Sequence, residues 1–83
     1  MSGEFQLEVR SPEKIIYSGK VTELHATAKD GALEILAGHA PLATLLSPGQ
    51  LRFRMITGEE NKMETGGGFL MVKGDRVQVL SLN

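Results

Sequence analysis

Apolar residues along the chain recur at every second position in short bursts, and no useful length carries the three-to-four spacing of an amphipathic helix. Phe5, Leu7 and Val9 alternate with Gln6, Glu8 and Arg10, which predicts a strand with one buried face; Ser11-Pro12 ends it. Ile15-Ile16-Tyr17 is a short β-branched and aromatic run closed by Ser18-Gly19. In the next run Leu24, Ala26 and Ala28 share one side and Glu23, His25 and Thr27 the other. Lys29-Asp30-Gly31 predicts a hairpin turn, because Asp-Gly readily supplies the positive φ angles that tight hairpins demand. Strands then follow over 33–36, 42–46, 51–55, 62–65, 69–72 and 77–82, separated by Gly38-His39-Ala40-Pro41, Ser47-Pro48-Gly49, a polar loop over 57–61, Gly66-Gly67-Gly68 and Lys73-Gly74-Asp75. Many short strands joined by Gly- and Pro-rich turns predict an all-β fold, a flattened β-sandwich or barrel of about eight to ten strands. No repeat or linker divides the chain, so a single domain is expected over residues 1–83.

One strand breaks the alternation. Phe69-Leu70-Met71-Val72 is apolar throughout, with Phe69 and Met71 on one face and Leu70 and Val72 on the other, and Met63, Val77, Val79, Leu80 and Leu82 add to the excess. Either this strand is central or the small sandwich is pinched, so that both its faces touch core, or its second face is covered by another protein; adaptable Met side chains suit such a contact.

Composition narrows the chemistry. An 83-residue chain buries only about 60% of its unfolded surface, so its stability margin is thin. Nine Lys and Arg against ten Asp and Glu give a net charge of −1, with no global field to draw in a nucleic-acid backbone. There is no Cys, which excludes disulfides, thiolate metal sites and a Cys nucleophile. The apolar runs are far shorter than the roughly 20 residues of a membrane-spanning helix, and Met1-Ser2-Gly3-Glu4 does not open a signal peptide. A small soluble intracellular domain is expected.

Candidate reactive groups are sparse. His25 is expected as a solvated side chain beside Glu23 and Thr27, and His39 as a loop residue that bonds neighbouring backbone. Two His this far apart, with no nearby acidic cluster in sequence, make a weak metal site, and neither has a converging partner for nucleophilic catalysis. Gly66-Gly67-Gly68 leads into a strand and lacks the Lys-Ser or Lys-Thr of a phosphate loop, so close backbone packing or a bulge is expected there. Arg52 and Arg54, with Lys62 opposite, read as a charged sheet face; three Phe and one Tyr are too few for a stacking platform. No catalytic residue, cofactor or metal site is assigned.

The stretch from Gly31-Ala32-Leu33 through Ile35 to Gly38-His39-Ala40-Pro41-Leu42 resembles the Gly-x-Leu-x-Ile-x-Pro-Gly-His-Ala-Pro-Leu motif of the epsilon subunit of F-type ATP synthases, called delta in mitochondria. The early Leu7-x-Val9 strand with Ser11 after it, Tyr17-Ser18-Gly19, Pro48-Gly49 before an Arg-bearing strand, Gly67-Gly68 and Val77-x-Val79-Leu80 agree in order and spacing. The resemblance covers residues 5–80. Ala37 stands where the family commonly has Pro, which makes that corner less rigid; Ala32 and Ala43 also depart from the usual residues.

The resemblance implies a non-catalytic rotor subunit in the central stalk, clamping the gamma subunit and resting on the polar loops of the membrane c-ring. It implies ring-facing loops at one end of the sandwich: Ser11, the Asp30-Gly31-Ala32 turn, and Gly38-His39-Ala40-Pro41-Leu42. It implies a gamma-facing surface on the late strands, formed by Phe69 and Met71 or by Leu70 and Val72. Neither cofactor, small-molecule substrate nor nucleic acid is implied, and the place implied is the cytoplasmic face of the bacterial inner membrane, held there through the complex. The family's C-terminal helical hairpin, which can inhibit hydrolysis, has no counterpart up to Asn83, so no action through such an arm is expected. The competing reading is a biotinyl or lipoyl carrier sandwich, for which Lys73 is the available attachment point, without the flanking Met pattern that function uses.

Overall fold

A computed structural model describes residues 3–82. The expected bounds of the domain at 1 and 83, and the opening Met1-Ser2, lie outside the described residues. Within them the chain forms eight strands: β1 (Phe5–Arg10), β2 (Ile15–Ala28), β3 (Gly31–Leu36), β4 (Leu42–Leu46), β5 (Gly49–Met55), β6 (Glu60–Thr65), β7 (Gly68–Lys73) and β8 (Arg76–Ser81). Hydrogen bonding runs through all eight in the order β1-β8-β7-β4-β2-β5-β6, with β3 on β2 and β1 also on β2. The long β2 belongs to both layers. Its first half pairs with β1 and its second half with β3 and β5. The fold is the expected all-β sandwich.

A bulge explains how β2 changes layer. Val21 pairs with Met55 and Glu23 with Arg54, which leaves Thr22 as an extra residue; its hydroxyl donates to the Arg54 carbonyl at 3.4 Å. An extra residue bends a strand and shifts its alternation. Val21 and Leu24 are accordingly both fully buried although they lie three apart. The Ser18-Gly19 break expected from the sequence is therefore corrected: 15–28 is one strand. Gly19 is there for an approach rather than a stop, because a Cβ would lie 2.7 Å from Tyr17 Oη. The Tyr17 ring meets Phe53 with centroids 4.6 Å apart.

Two turn details also differ. Among the described residues none other than Gly has positive φ, so Lys29 and Asp30 do not supply it in the first hairpin; Gly31 does, at 125°. The polar loop expected over 57–61 is shorter, since Glu60 already starts β6.

The core draws on every layer. Leu7, Val9, Leu24, Ile35, Leu51, Leu70, Val77 and Val79 are almost wholly excluded from solvent. Close backbone packing is found at the Gly triplet. A Cβ on Gly68 would run into the Leu80 carbonyl oxygen, and Gly68 holds φ at 148°, so only Gly fits. Beside it Thr65 Oγ1 donates to the Gly67 carbonyl at 2.9 Å, and lies 2.7 Å from Ser81 Oγ, pairing the two buried hydroxyls.

Candidate interaction surface

The two outer faces of the sandwich have opposite chemistry. Across β4, β7 and β8 the register aligns Leu45 with Phe69 and Phe69 with Leu80, and on the next outward row Ala43 with Met71. Leu45, Phe69, Met71 and Leu80 are 54%, 38%, 39% and 36% exposed. The strip ends where β8 meets β1, with Gln78 Nε2 donating to Glu8 Oε1 at 3.2 Å and Arg10 beside Leu80. Leu82, also exposed, continues it towards Ser11, Pro12 and Ile16, with which it lines a groove. Period-two alternation forces this result: with Leu70 and Val72 turned into the core, Phe69 and Met71 must face out.

This parity corrects one of the two alternatives for the late strands. Leu70 is 0% and Val72 3% exposed, packed among Leu7, Val9 and Val79 in the core, so neither can present a side chain to another protein.

The other outer face, across β3, β2, β5 and β6, is charged. His25 stands opposite Glu34 on β3 and Arg52 on β5, while Arg54 stands between Glu23 and Glu60. Arg54 Nε is 3.4 Å from Glu23 Oε2, its Nη2 is 3.8 Å from Glu60 Oε2, and Arg52 Nε is 3.6 Å from the same oxygen. The hydrogen bond from His25 holds the Glu23 carboxyl below its ordinary pKa, partial desolvation opposes this, and the Arg54 charge adds to the lowering. His25 is thus not the solvated side chain expected from the sequence. Its Nε2 lies 2.8 Å from Glu23 Oε1 on its own strand and 3.7 Å from Glu34 Oε2, which the adjacent strand β3 brings alongside. The charged face itself is as expected, with Arg52 opposite Lys62.

The loops do not all gather at one end. Asp30, Gly31 and Ala32 stand at the start of β3 and Gly38, His39, Ala40, Pro41 and Leu42 beyond its end, so a strand of six residues, about 16 Å long, separates them. The Lys29 amide donates to the Leu45 carbonyl and the Ser47 amide to the Thr27 carbonyl. These bonds set the Asp30 turn on the rim that carries Ser47, Gly67 and Leu82, the residue beside Ser11. Pro41 and Leu42 instead border Ala43, Met71 and Lys73, next to the apolar strip. Ser11 closes its own turn: its hydroxyl accepts from the Lys14 amide at 3.2 Å and from the Glu13 amide at 3.3 Å. His39 Nδ1 donates to the Ala40 carbonyl at 2.7 Å and the His39 amide donates to the Leu36 carbonyl, the backbone-bonding role expected of it.

The β-sandwich thus carries one exposed apolar strip, one ion-paired face and loops held by their own hydrogen bonds. The sequence model of the ATP synthase delta/epsilon chain β-sandwich domain matches residues 4–83, and the chain belongs to that family. The ATP synthase epsilon chain of Dichelobacter nodosus is 38% identical over 81 residues, 98% of this chain and 57% of the relative. That of Chlorobium limicola is 35% identical over 77 residues, 93% of this chain and 88% of the relative. The chain thus spans little more than half of the first relative and most of the second. Among solved structures, a chain of the Euglena gracilis mitochondrial ATP synthase (OSCP, F1 and c-ring in rotational state 1) superposes with a TM-score of 0.90 at 22% identity, over 98% of this chain and 52% of that one. The last match establishes the shared fold.

Proposed function

We propose that the chain is a non-catalytic rotor subunit of an F-type ATP synthase, coupling rotation of the gamma subunit to the c-ring at the cytoplasmic face of a bacterial inner membrane. The observation that carries this reading is the bare apolar strip of Leu45, Phe69, Met71 and Leu80 on a domain of the delta/epsilon family. Torque transmission needs a stiff body and a tight contact, and needs no reacting group. The sandwich provides stiffness through its close-packed interior, and the strip provides adhesion through apolar burial. The family relatives are epsilon chains, and the superposed Euglena chain comes from an assembly of F1 and c-ring, which supports the same placement.

On this reading the contacts divide between two parts of the sandwich. Gamma takes the strip with its neighbours Ala43, Pro41 and Leu42, and with them the His39 loop. The c-ring takes the rim carrying Ser11 and the Asp30-Gly31-Ala32 turn, where exposed polar backbone suits polar ring loops. The chain performs no covalent chemistry and takes no cofactor in this role.

Mixing the purified chain with the gamma subunit of its own synthase tests the reading. A one-to-one complex is expected on gel filtration, lost in Met71→Asp and kept in Lys62→Asp on the charged face. Retention of the complex by Met71→Asp, or its loss in Lys62→Asp, with both variants folded, places the contact elsewhere.

A further inference from the structure

The charged face holds a donor set that rotor coupling does not use. His25 and Glu34 are register partners on β2 and β3, and Glu23 lies two residues back on β2, so the pleat turns all three outward from adjacent positions. His25 Nε2 is 2.8 Å from Glu23 Oε1 and 3.7 Å from Glu34 Oε2, and one ligand atom from each of the three lies within 4.8 Å of the others. A tetrahedral ion with ligand bonds of about 2.0–2.2 Å holds its ligand atoms about 3.3–3.6 Å apart. The two separations from His25 bracket that spacing, and the partly exposed carboxylates have room to rotate towards it.

The surroundings orient the set. Arg54 holds Glu23 Oε2, so Oε1 of the same carboxylate is the oxygen turned towards His25. Metal-ligating carboxylates are commonly held in this way by an outer partner. Arg54 is divided between Glu23 and Glu60, and Arg52, opposite His25 on β5, is likewise paired with Glu60. One imidazole with two carboxylates favours borderline transition ions over magnesium or calcium, which prefer all-oxygen sites.

We infer that Glu23, His25 and Glu34 form a surface site for a divalent transition cation, with zinc as the representative ion and water completing its coordination. The ion would bridge β2 to β3, whose one ladder partner among the described residues is β2, and so staple the first hairpin.

Calorimetric titration of the tag-free chain with zinc chloride near neutral pH tests this, with circular dichroism on each variant. A single saturable site is expected. His25→Gln and Glu34→Gln should each weaken it by about tenfold or more, and His39→Gln should bind like the parent. Zinc should also raise the melting temperature of the parent and not of His25→Gln, because only the folded site binds it. Absence of saturable binding up to about 1 mM zinc, or undiminished binding by His25→Gln, overturns the inference. So does a loss confined to His39→Gln. If His25→Gln fails to fold, Glu34→Gln, on the exposed edge strand, decides by the same criterion.

Discussion

The apolar strip yields the sharpest test at Phe69. Its side chain is 38% exposed; for an aromatic of about 200 Å² this leaves about 75 Å² open to a partner. Covering that area at about 25 cal/mol per Å² is worth about 2 kcal/mol, or about a thirtyfold change in Kd. Phe69→Ala should therefore weaken binding to gamma by about that factor when both proteins are held well below their melting temperatures. The remainder of the ring is already covered within the domain, so the same substitution also lowers stability. Leu70, next in the chain and 0% exposed, separates the two effects. Leu70→Ala should cost about 3–5 kcal/mol of folding stability through the cavity it opens, and should leave the affinity of the folded fraction unchanged. Calorimetry against gamma and urea denaturation of each variant give both numbers. If Phe69→Ala binds within about threefold of the parent while folded, the strip is not the gamma contact and the reasoning from exposure fails.

Gly68→Ala should destabilise by about 3–5 kcal/mol, since it combines a backbone conformation reserved for Gly with overlap against the Leu80 carbonyl. A thermal melt shifted by less than about 4 °C would contradict that contact. Thr65→Val should cost about 1–3 kcal/mol by leaving Ser81 Oγ without its buried partner, and Thr65→Ser should restore most of it; equal urea midpoints for Val and Ser would refute the role. Glu23 has a folded pKa below its ordinary 4.5, so its ionised form stabilises the fold above 4.5, and that increment is lost as pH falls through the lowered folded value. Glu23→Gln should thus be less stable than the parent at neutral pH, by a small amount because the side chain is partly in water. The gap should close in strong acid, and a gap constant with pH would disprove the linkage.

What could be read along the chain follows from where one face meets the core and the other meets water. Phe5, Leu7 and Val9 in β1 obey that condition and alternate cleanly. β2 does not obey it, because the bulge at Thr22 changes which parity points inward. The signal was present in the odd spacing of Val21 and Leu24, but Ser18-Gly19 masked it: the pattern alone does not separate a Gly that ends a strand from one that seats an aromatic ring. The cluster around His25 was hidden for a different reason. Its acidic partner Glu34 is nine positions away and arrives only through the hairpin register. Once Lys29-Asp30 is known to be a two-residue turn, Ala28 pairs with Gly31, and counting back along both strands sets His25 opposite Glu34.

The unbroken apolar run of β7 had two explanations, and the exposures decide between the structural forms they require. A strand buried on both sides would hide Phe69 and Met71 as fully as Leu70 and Val72. Instead the two pairs differ sharply: the inward pair is sealed and the outward pair is more than a third open. The excess cannot be charged to an unusually thin core, because Leu45 and Leu80, aligned on either side of Phe69 in neighbouring strands, are open as well. Three neighbouring strands thus expose apolar side chains in register, whereas β2, β3, β5 and β6 place mostly Glu, His, Arg and Lys at the equivalent outward positions, with Leu36 beside Glu23 an exposed apolar exception. Both faces cover the same core with the same alternation, so the folding requirement is identical for each. Folding alone does not account for the difference between the two faces, and an apolar strip bounded by Gln78, Glu8 and Arg10 is what the proposed gamma contact requires.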